Sequence, residues 1–366
     1  MLSSVRVLAF KRFTDRTFRL APLTILAGLN GAGKSSFVQS LLLAAEAESS
    51  AVAGTIRLND RSFELGAAKD VQNWKSEDTI RIELDSTEGL STWVIQSPAE
   101  DSLYLNVISK PTAVPFPFQR VSRALTYLCA ERLGPRAHLP ADPVPFSELQ
   151  VGVRGEYCAQ IIATIGSQPL QHSDRVRPTS GESSVGLLKY EIEGWLSAIA
   201  RPVEIDAGWF PDSGVTALKF RSPGGDWVRA TNMGFGVSYA LPVVLAGLIA
   251  ERGGLLIVEN PEAHLHPAGQ SQMGRFLAWI ASCGVQVVLE THSDHLLNGI
   301  RLAIGAEKLL PYCDAVAHYF ADGDGDEVAV DELTFTSVGG ISHWPKGFFD
   351  QYQLDVATLG RIRRQR

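Results

Sequence analysis

No two of the four cysteines, Cys129, Cys158, Cys283 and Cys313, fall in a CxxC spacing. A zinc site and a disulfide framework are therefore not expected, and a reducing, cytoplasmic setting is the simple reading. Long apolar runs are missing too. The stretch worth testing, Ala240–Ala250, falls short of the ~18 residues a spanning helix needs and reads as a buried core helix. The opening MLSSVRVLAFKRF has no apolar h-region and no cleavage pattern, so no leader is expected. Lysine and arginine are outnumbered by acids, 33 to 40. The net charge of −7 argues against a surface that grips nucleic acid everywhere, and leaves room for a local basic patch. Neither an internal repeat nor a heptad run long enough for a coiled-coil arm occurs. What is present is globular composition: 45 % apolar and 20 % charged residues, enough to build a packed core and too apolar for disorder.

The chain is punctuated as an α/β protein. Alternation over residues 1–20 predicts two strands with a turn near Thr14–Asp15. Leu23–Ala27 is a continuous apolar strand, as in a parallel sheet covered on both faces, and Ser35–Glu48 an apolar helix. Residues 55–58, 79–84 and 91–95 predict one antiparallel sheet, and Arg120–Glu131 and Gly186–Ala200 predict helices. The last third alternates: helix Ser238–Glu251, strand Leu255–Val258, helix Gly269–Ala281, strand Val285–Leu289. Such βαβ order implies a parallel sheet with its ligand at the carboxyl ends of the strands. Asp322–Asp326 (DGDGD) reads as a hairpin turn, since a calcium loop needs Gly at its sixth position, where Glu327 stands.

Gly28-Leu29-Asn30-Gly31-Ala32-Gly33-Lys34-Ser35 fits GxxxxGK[ST], the phosphate-binding loop. Glycines let backbone N–H groups face phosphates, and the helix that follows points its positive end at the anion. Lys34 would reach the β- and γ-phosphates and the Ser35 hydroxyl would bind Mg²⁺. The strand 255–258 ends in Glu259-Asn260-Pro261-Glu262, where a Walker B acid holds Mg²⁺, and Glu259 takes that place. Strand 285–289 ends in Glu290-Thr291-His292, which makes Glu290 a candidate base or water-positioning group and His292 a donor to a γ-phosphate. His264, His266, His292 and His295 lack the spacing of a zinc set. Gly234-Phe235-Gly236-Val237-Ser238 opens a helix, either as a second anion site or as an ordinary N-cap.

Together GLNGAGKSS (28–36), GFGVS (234–238), LLIVENPEAHLHP (255–267) and VVLETHSDH (287–295) resemble the nucleotide-binding heads of the ABC/SMC superfamily. More closely they resemble prokaryotic "AAA family" ATPases related to the OLD (overcoming lysogenisation defect) proteins. Residues 341–351 (ISHWPKGFFDQ) resemble the short C-terminal domain of unknown function that ends such ATPases, and Tyr127–Arg136 (YLCAERLGPR) a family loop near the nucleotide. The resemblance implies a P-loop NTPase fold: a mixed sheet flanked by helices, an N-terminal antiparallel sheet and an inserted lid. It implies head parts at 1–100 and 231–320, the lid at 101–230 and a small C-terminal domain at 321–366. ATP and Mg²⁺ would be held by Asn30, Gly31, Ala32, Gly33, Lys34, Ser35 and Ser36. Gly236 and Ser238 of a second copy would cap the nucleotide in a head-to-tail pair, with His264–Pro267 at the junction.

Family members often serve anti-phage defence, where the ATPase controls a nuclease or another toxic effector. Two departures bear on turnover: Glu259 replaces the usual Asp, and Asn260 stands where ABC ATPases keep a catalytic Glu. No Q-loop glutamine is assignable. Slow hydrolysis in isolation is the expectation, with Glu290 ahead of Glu262 as the substitute for the missing acid. A DNA-repair ATPase that contacts DNA directly stays open as an alternative. Its one candidate contact is the basic tail of Arg361, Arg363, Arg364 and Arg366, which reads more simply as a solvated end. An OLD-like nuclease is disfavoured, because too little chain remains for a Toprim domain.

Overall fold

The computed structural model describes residues 1–50, 54–60, 63–76, 79–177, 186–321, 328–349 and 351–364. Asp322–Asp326 and Arg366 lie outside the described residues. The molecule is α/β, organised around a six-stranded mixed sheet. Its order is Ala329–Thr334, Ala315–Ala321, Leu23–Gly28, Gln286–Glu290, Leu255–Glu259, Leu125–Leu128. Every neighbouring pair is parallel except the first, an antiparallel hairpin at the edge.

Alternate residues of the inner strands serve two cores. Leu256, Val258, Val287 and Leu289 pack with the helices Phe235–Ile249, Pro267–Ser282 and Asp294–Gly305. Leu255, Ile257, Val288 and Leu26 pack with Phe37, Val38 and Leu41 of the P-loop helix, Lys34–Ser49. A strand buried on both faces has no polar side to show, which is why these strands read as unbroken apolar runs. Each such side chain contributes roughly 1.5–3 kcal/mol by leaving water.

The P-loop helix is covered on its far side by an antiparallel sheet of order Phe13–Arg19, Leu2–Phe10, Ile80–Ser86, Gly89–Gln96, Tyr104–Ser109, Thr55–Arg57. A third, small sheet joins Glu204–Phe210, Val215–Arg221 and Val228–Arg229, with Leu139–Pro140 paired to Val215 and Thr216. No helix among the described residues is long and apolar enough to cross a membrane.

Two expectations are corrected. The first hairpin turns at Lys11–Arg12, not at Thr14–Asp15, for Asp15 already pairs with Leu8 and Phe13 with Phe10. Lys11 adopts a left-handed φ of 48°, which the alternating apolar pattern did not signal. Arg120–Glu131 holds no helix. Arg120 and Arg123 both have positive φ, and Leu125–Leu128 pairs in parallel with Leu255–Val258. Tertiary pairing of Leu125-Thr126-Tyr127-Leu128 overrides local helix propensity there.

The central and antiparallel sheets are pinned together at His318. Its ring is 2 % exposed, packs edge-on to Phe18 at 5.6 Å, and its Nε2–H donates to the Arg19 carbonyl at 2.8 Å. Burial, the largest influence, pushes its pKa below the ordinary histidine value. The unfolded imidazole therefore takes up a proton, as pH falls through ~6.5, before the folded one does. The stability His318 provides is present above that pH and lost below it. The melting-temperature advantage of the wild type over His318→Gln should accordingly narrow between pH 7.5 and 5.5. A gap that does not change with pH would show that His318 titrates alike in both states.

Candidate functional site

The P-loop leaves its strand beside Phe320. Gly28 has φ +129°, and a Cβ there would lie 2.0 Å from the Phe320 carbonyl oxygen, so only glycine fits. Gly33 (φ 109°) opens the helix with no side-chain cap, and no acid stands in the first turn. Uncapped first-turn N–H groups together with the helix's positive end make an anion site. They face a cavity of about 270 Å³ lined by Asn30, Gly31, Gly33, Lys34, Ser35, Ser36 and Glu290, and by Lys11, Arg12, Asp70 and Trp74. Larger hollows of about 360 and 500 Å³ open elsewhere, but neither holds a buried lysine against a buried carboxylate.

Lys34 is 3 % exposed and donates to the carbonyls of Gly28 (3.0 Å) and Leu29 (2.7 Å). Its Nζ lies 3.8 Å from Glu290 Oε1, and the Ser35 hydroxyl donates to Glu290 Oε2 at 3.3 Å. Burial holds the lysine pKa below its ordinary value. Burial, reinforced by the nearby charge of Glu259, pushes the Glu290 carboxyl up to about 7, against the opposing pull of Lys34 and Ser35. Each partner is thus drawn toward its neutral form. The pair does not compensate its own desolvation, so added anionic and cationic charge in the cavity would be accommodated favourably.

Glu259 and Glu290 are register partners on adjacent parallel strands, yet their carboxylates diverge. Glu290 turns to the P-loop. Glu259 turns to the edge strand, where it accepts from the Tyr127 hydroxyl (3.1 Å) and the Ala130 N–H (3.1 Å). Ser35 and Glu259, the residues expected to share Mg²⁺, are therefore not brought together by any hydrogen bond; Ser35 meets Glu290 instead. A hydroxyl is one of the hard oxygen donors Mg²⁺ takes, so Ser35, with the Glu290 carboxylate beside it as added negative charge, fits that ion.

Asn260 sits in a left-handed turn (φ 44°), donates its N–H to the Glu290 carbonyl (2.9 Å), and has a buried, unpartnered Oδ1. His292 Nε2 is 3.9 Å from Glu290 Oε1, and its imidazole is 41 % exposed, open to a ligand. Burial, and then Lys34, hold its pKa below the ordinary value, favouring the neutral ring. Glu262 accepts the His292 N–H at 2.8 Å. His266 caps the following helix, while His264 packs on Tyr239 with ring centres 4.4 Å apart.

The GFGVS segment lies away from this cavity, at the start of the helix Phe235–Ile249. A Cβ on Gly236 would come within 3.1 Å of the His264 carbonyl, so the glycine permits close packing on the turn after Walker B. The Ser238 hydroxyl is buried, without a hydrogen-bond partner, and the residue lines a cavity of about 20 Å³ with Leu133–Arg136. What this helix shows to solvent is Phe235, 55 % exposed.

Sequence reasoning missed Lys11, Arg12, Asp70 and Trp74 at the cavity. The adjacent basic pair between two apolar runs was a usable signal for the hairpin tip; nothing marked Asp70 or Trp74.

Residues 188–297 match the family described as an AAA ATPase domain, and residues 310–359 match a protein of unknown function (DUF3696). Two crystal structures are similar in fold. One is an SmcHead bound to the C-winged helix domain of ScpA, with TM-score 0.51 and 12 % identity, covering 91 % of this chain and 98 % of that one. The other is an Smc head domain with an extended coiled coil bound to the C-terminal domain of ScpA, derived from Pyrococcus furiosus. It has TM-score 0.51 and 11 % identity, covering 99 % of each chain. An AAA ATPase domain is thus matched over residues 188–297, in a chain whose fold resembles SMC heads. At such identities the structural likeness shows the fold. The matched ATPase domain holds the GFGVS helix, the Walker B strand and the switch strand. The P-loop, outside that match, joins them through pairing of Leu23–Leu26 with Val287–Glu290. No curated protein matches the chain.

Proposed function

We propose that this ATPase is an ATP-dependent switch whose heads pair head to tail, and that it controls an effector such as a nuclease in a prokaryotic defence complex. The observation that carries the nucleotide half is the buried, undercompensated Lys34–Glu290 pair beside uncapped helix N–H groups. In this reading Lys34 and the N–H groups of 30–36 bind the phosphates, and Ser35 holds Mg²⁺. Bound Mg²⁺ neutralises charge on the phosphates. Glu290 orients the attacking water and accepts its proton, His292 donates toward the γ-phosphate, and Asn260 only fixes the turn. Glu259, with both carboxylate oxygens engaged, anchors loop 127–130 to the Walker B strand. The proposal keeps head parts at 1–100 and 231–320, the lid at 101–230 and the closing segment at 321–366, with Leu125–Leu128 assigned to the head.

Support for the pairing half is the exposed aromatic face of Phe235 and His264 beside Gly236. The structural relatives also bind a protein partner, ScpA, through a head of this fold. The defence role follows from the resemblance to OLD-related ATPases. Because the Ser238 hydroxyl points inward, Phe235→Asp is the sharper probe of the surface. It should leave ATP affinity within about threefold, yet abolish the mass gain that ATP causes in sedimentation of the wild type. If wild type and variant gain mass alike, the GFGVS surface is not the junction.

A further inference from the structure

Arg132 takes no part in the nucleotide cavity, yet it is 1 % exposed and sits between that site and the GFGVS helix. All its hydrogen bonds among the described residues go to carbonyl oxygens. Nη1 donates to Cys129 (3.0 Å) and Glu259 (2.6 Å), and Nη2 donates to Asn260 (2.6 Å), while Nε has no partner. A guanidinium fork can bridge two successive carbonyls; a lysine ammonium has no such fork. The two carbonyls bridged are those at the exit of the Walker B strand. That exit is a left-handed turn whose other side is tied to the switch strand by the Asn260 N–H on the Glu290 carbonyl.

The guanidinium also lies over the ring of Tyr239, with Cζ 5.6 Å from its centre. Tyr239 stands one helical turn beyond Phe235. Its ring meets His264 at 4.4 Å and Phe235 at 6.1 Å, and Phe235 meets His264 at 5.3 Å. A continuous path of contact therefore runs from Glu290 through Asn260, Arg132 and Tyr239 to an exposed aromatic face. Contact alone does not transmit anything, but this path crosses a strained turn gripped from two sides, an element suited to two arrangements.

We infer that Arg132 is the positioning residue that couples the chain's own nucleotide site to the aromatic face of its GFGVS helix. The inference rests on the reading that the P-loop binds ATP. Its test is hydrogen exchange of the full chain with and without ATP-Mg²⁺, diluted until sedimentation shows single copies, together with ATP affinity and steady-state hydrolysis. In the wild type, ATP should slow exchange both at 28–36 and at 234–240. Arg132→Lys should keep the change at 28–36 and an ATP Kd within about threefold, lose the change at 234–240, and lower kcat by about tenfold with KM held. Tyr239→Phe, which keeps the ring, should behave as wild type, and Tyr239→Leu as Arg132→Lys.

A response at 234–240 that survives in Arg132→Lys overturns the inference. So does a loss of ATP affinity as large as the loss of kcat, which would mark a merely structural role. A wild type that responds at 28–36 but never at 234–240 sinks the coupling and leaves ATP binding standing. A wild type with no response at 28–36 sinks the nucleotide reading, and the coupling with it.

Discussion

Lys34→Ala should leave a folded protein whose ATP affinity is at least about a hundredfold weaker, read by calorimetry. Lys34 is the one cation buried in the P-loop cavity among the described residues, and charge-assisted hydrogen bonds to phosphate are worth roughly 1.5–3 kcal/mol each. Two of them lost in a dry site exceed the ~2.7 kcal/mol of a hundredfold change. Folding should survive for a reason the geometry supplies. Removing a buried cation normally strands its partner, but the carboxyl of Glu290 already holds its proton up to about pH 7 and can become neutral. The Gly28 and Leu29 carbonyls that Lys34 caps lie beside a loop open to water. A folded Lys34→Ala protein with wild-type affinity would end the P-loop reading.

The elements that give this site its shape were legible because their physics is local. GLNGAGKS can be read without a fold, since the phosphate cradle needs glycine conformations and a helix start that the sequence itself encodes. The apolar runs before Glu259 and Glu290 put both acids at strand ends of a parallel sheet. Period-two reasoning says that register partners leave the sheet side by side, and it stops there. Whether a carboxylate leans to the P-loop or to the opposite edge depends on what the neighbouring strand offers. For Glu259 that neighbour is Tyr127–Ala130, 129 to 132 residues away in sequence and misread as helix. The same non-locality hid the Lys11–Arg12 tip over the cavity, since a hairpin's turn is set by φ at one residue. It also hid the inward hydroxyl of Ser238: a serine at a helix start announces a cap or an anion site, and only the packing against Leu133–Arg136 shows that this hydroxyl turns inward and caps nothing.

Replacing Glu290 with glutamine should keep ATP bound, lower hydrolysis at least about tenfold, and make the nucleotide-free protein more stable at neutral pH. The first two effects follow from position. The carboxylate lies between the Ser35 hydroxyl and the His292 imidazole, and an amide can orient water but not take its proton. An amide oxygen can still accept from Ser35, so the cradle survives. The third effect has a definite sign. The folded carboxyl binds its proton up to about pH 7, the unfolded one only up to the ordinary glutamate value of 4.5. Between those values the folded state holds more protons, so stability falls as pH rises through the window and stays low above it. With the group only 7 % exposed, the penalty at pH 8 is on the order of 2–3 kcal/mol. Glutamine carries no charge to desolvate, so its melting temperature should exceed the wild type's at pH 8 and the two should converge toward pH 5. Saturating ATP-Mg²⁺ should shrink the gap at pH 8, because the bound cation compensates the ionised carboxylate of the wild type alone. A Glu290→Gln protein that hydrolyses ATP at the wild-type rate removes this residue from turnover and moves the role to Glu262. One that hydrolyses slowly but melts with the wild type at every pH keeps the chemical role, and shows that the carboxylate's charge is already compensated before nucleotide binds.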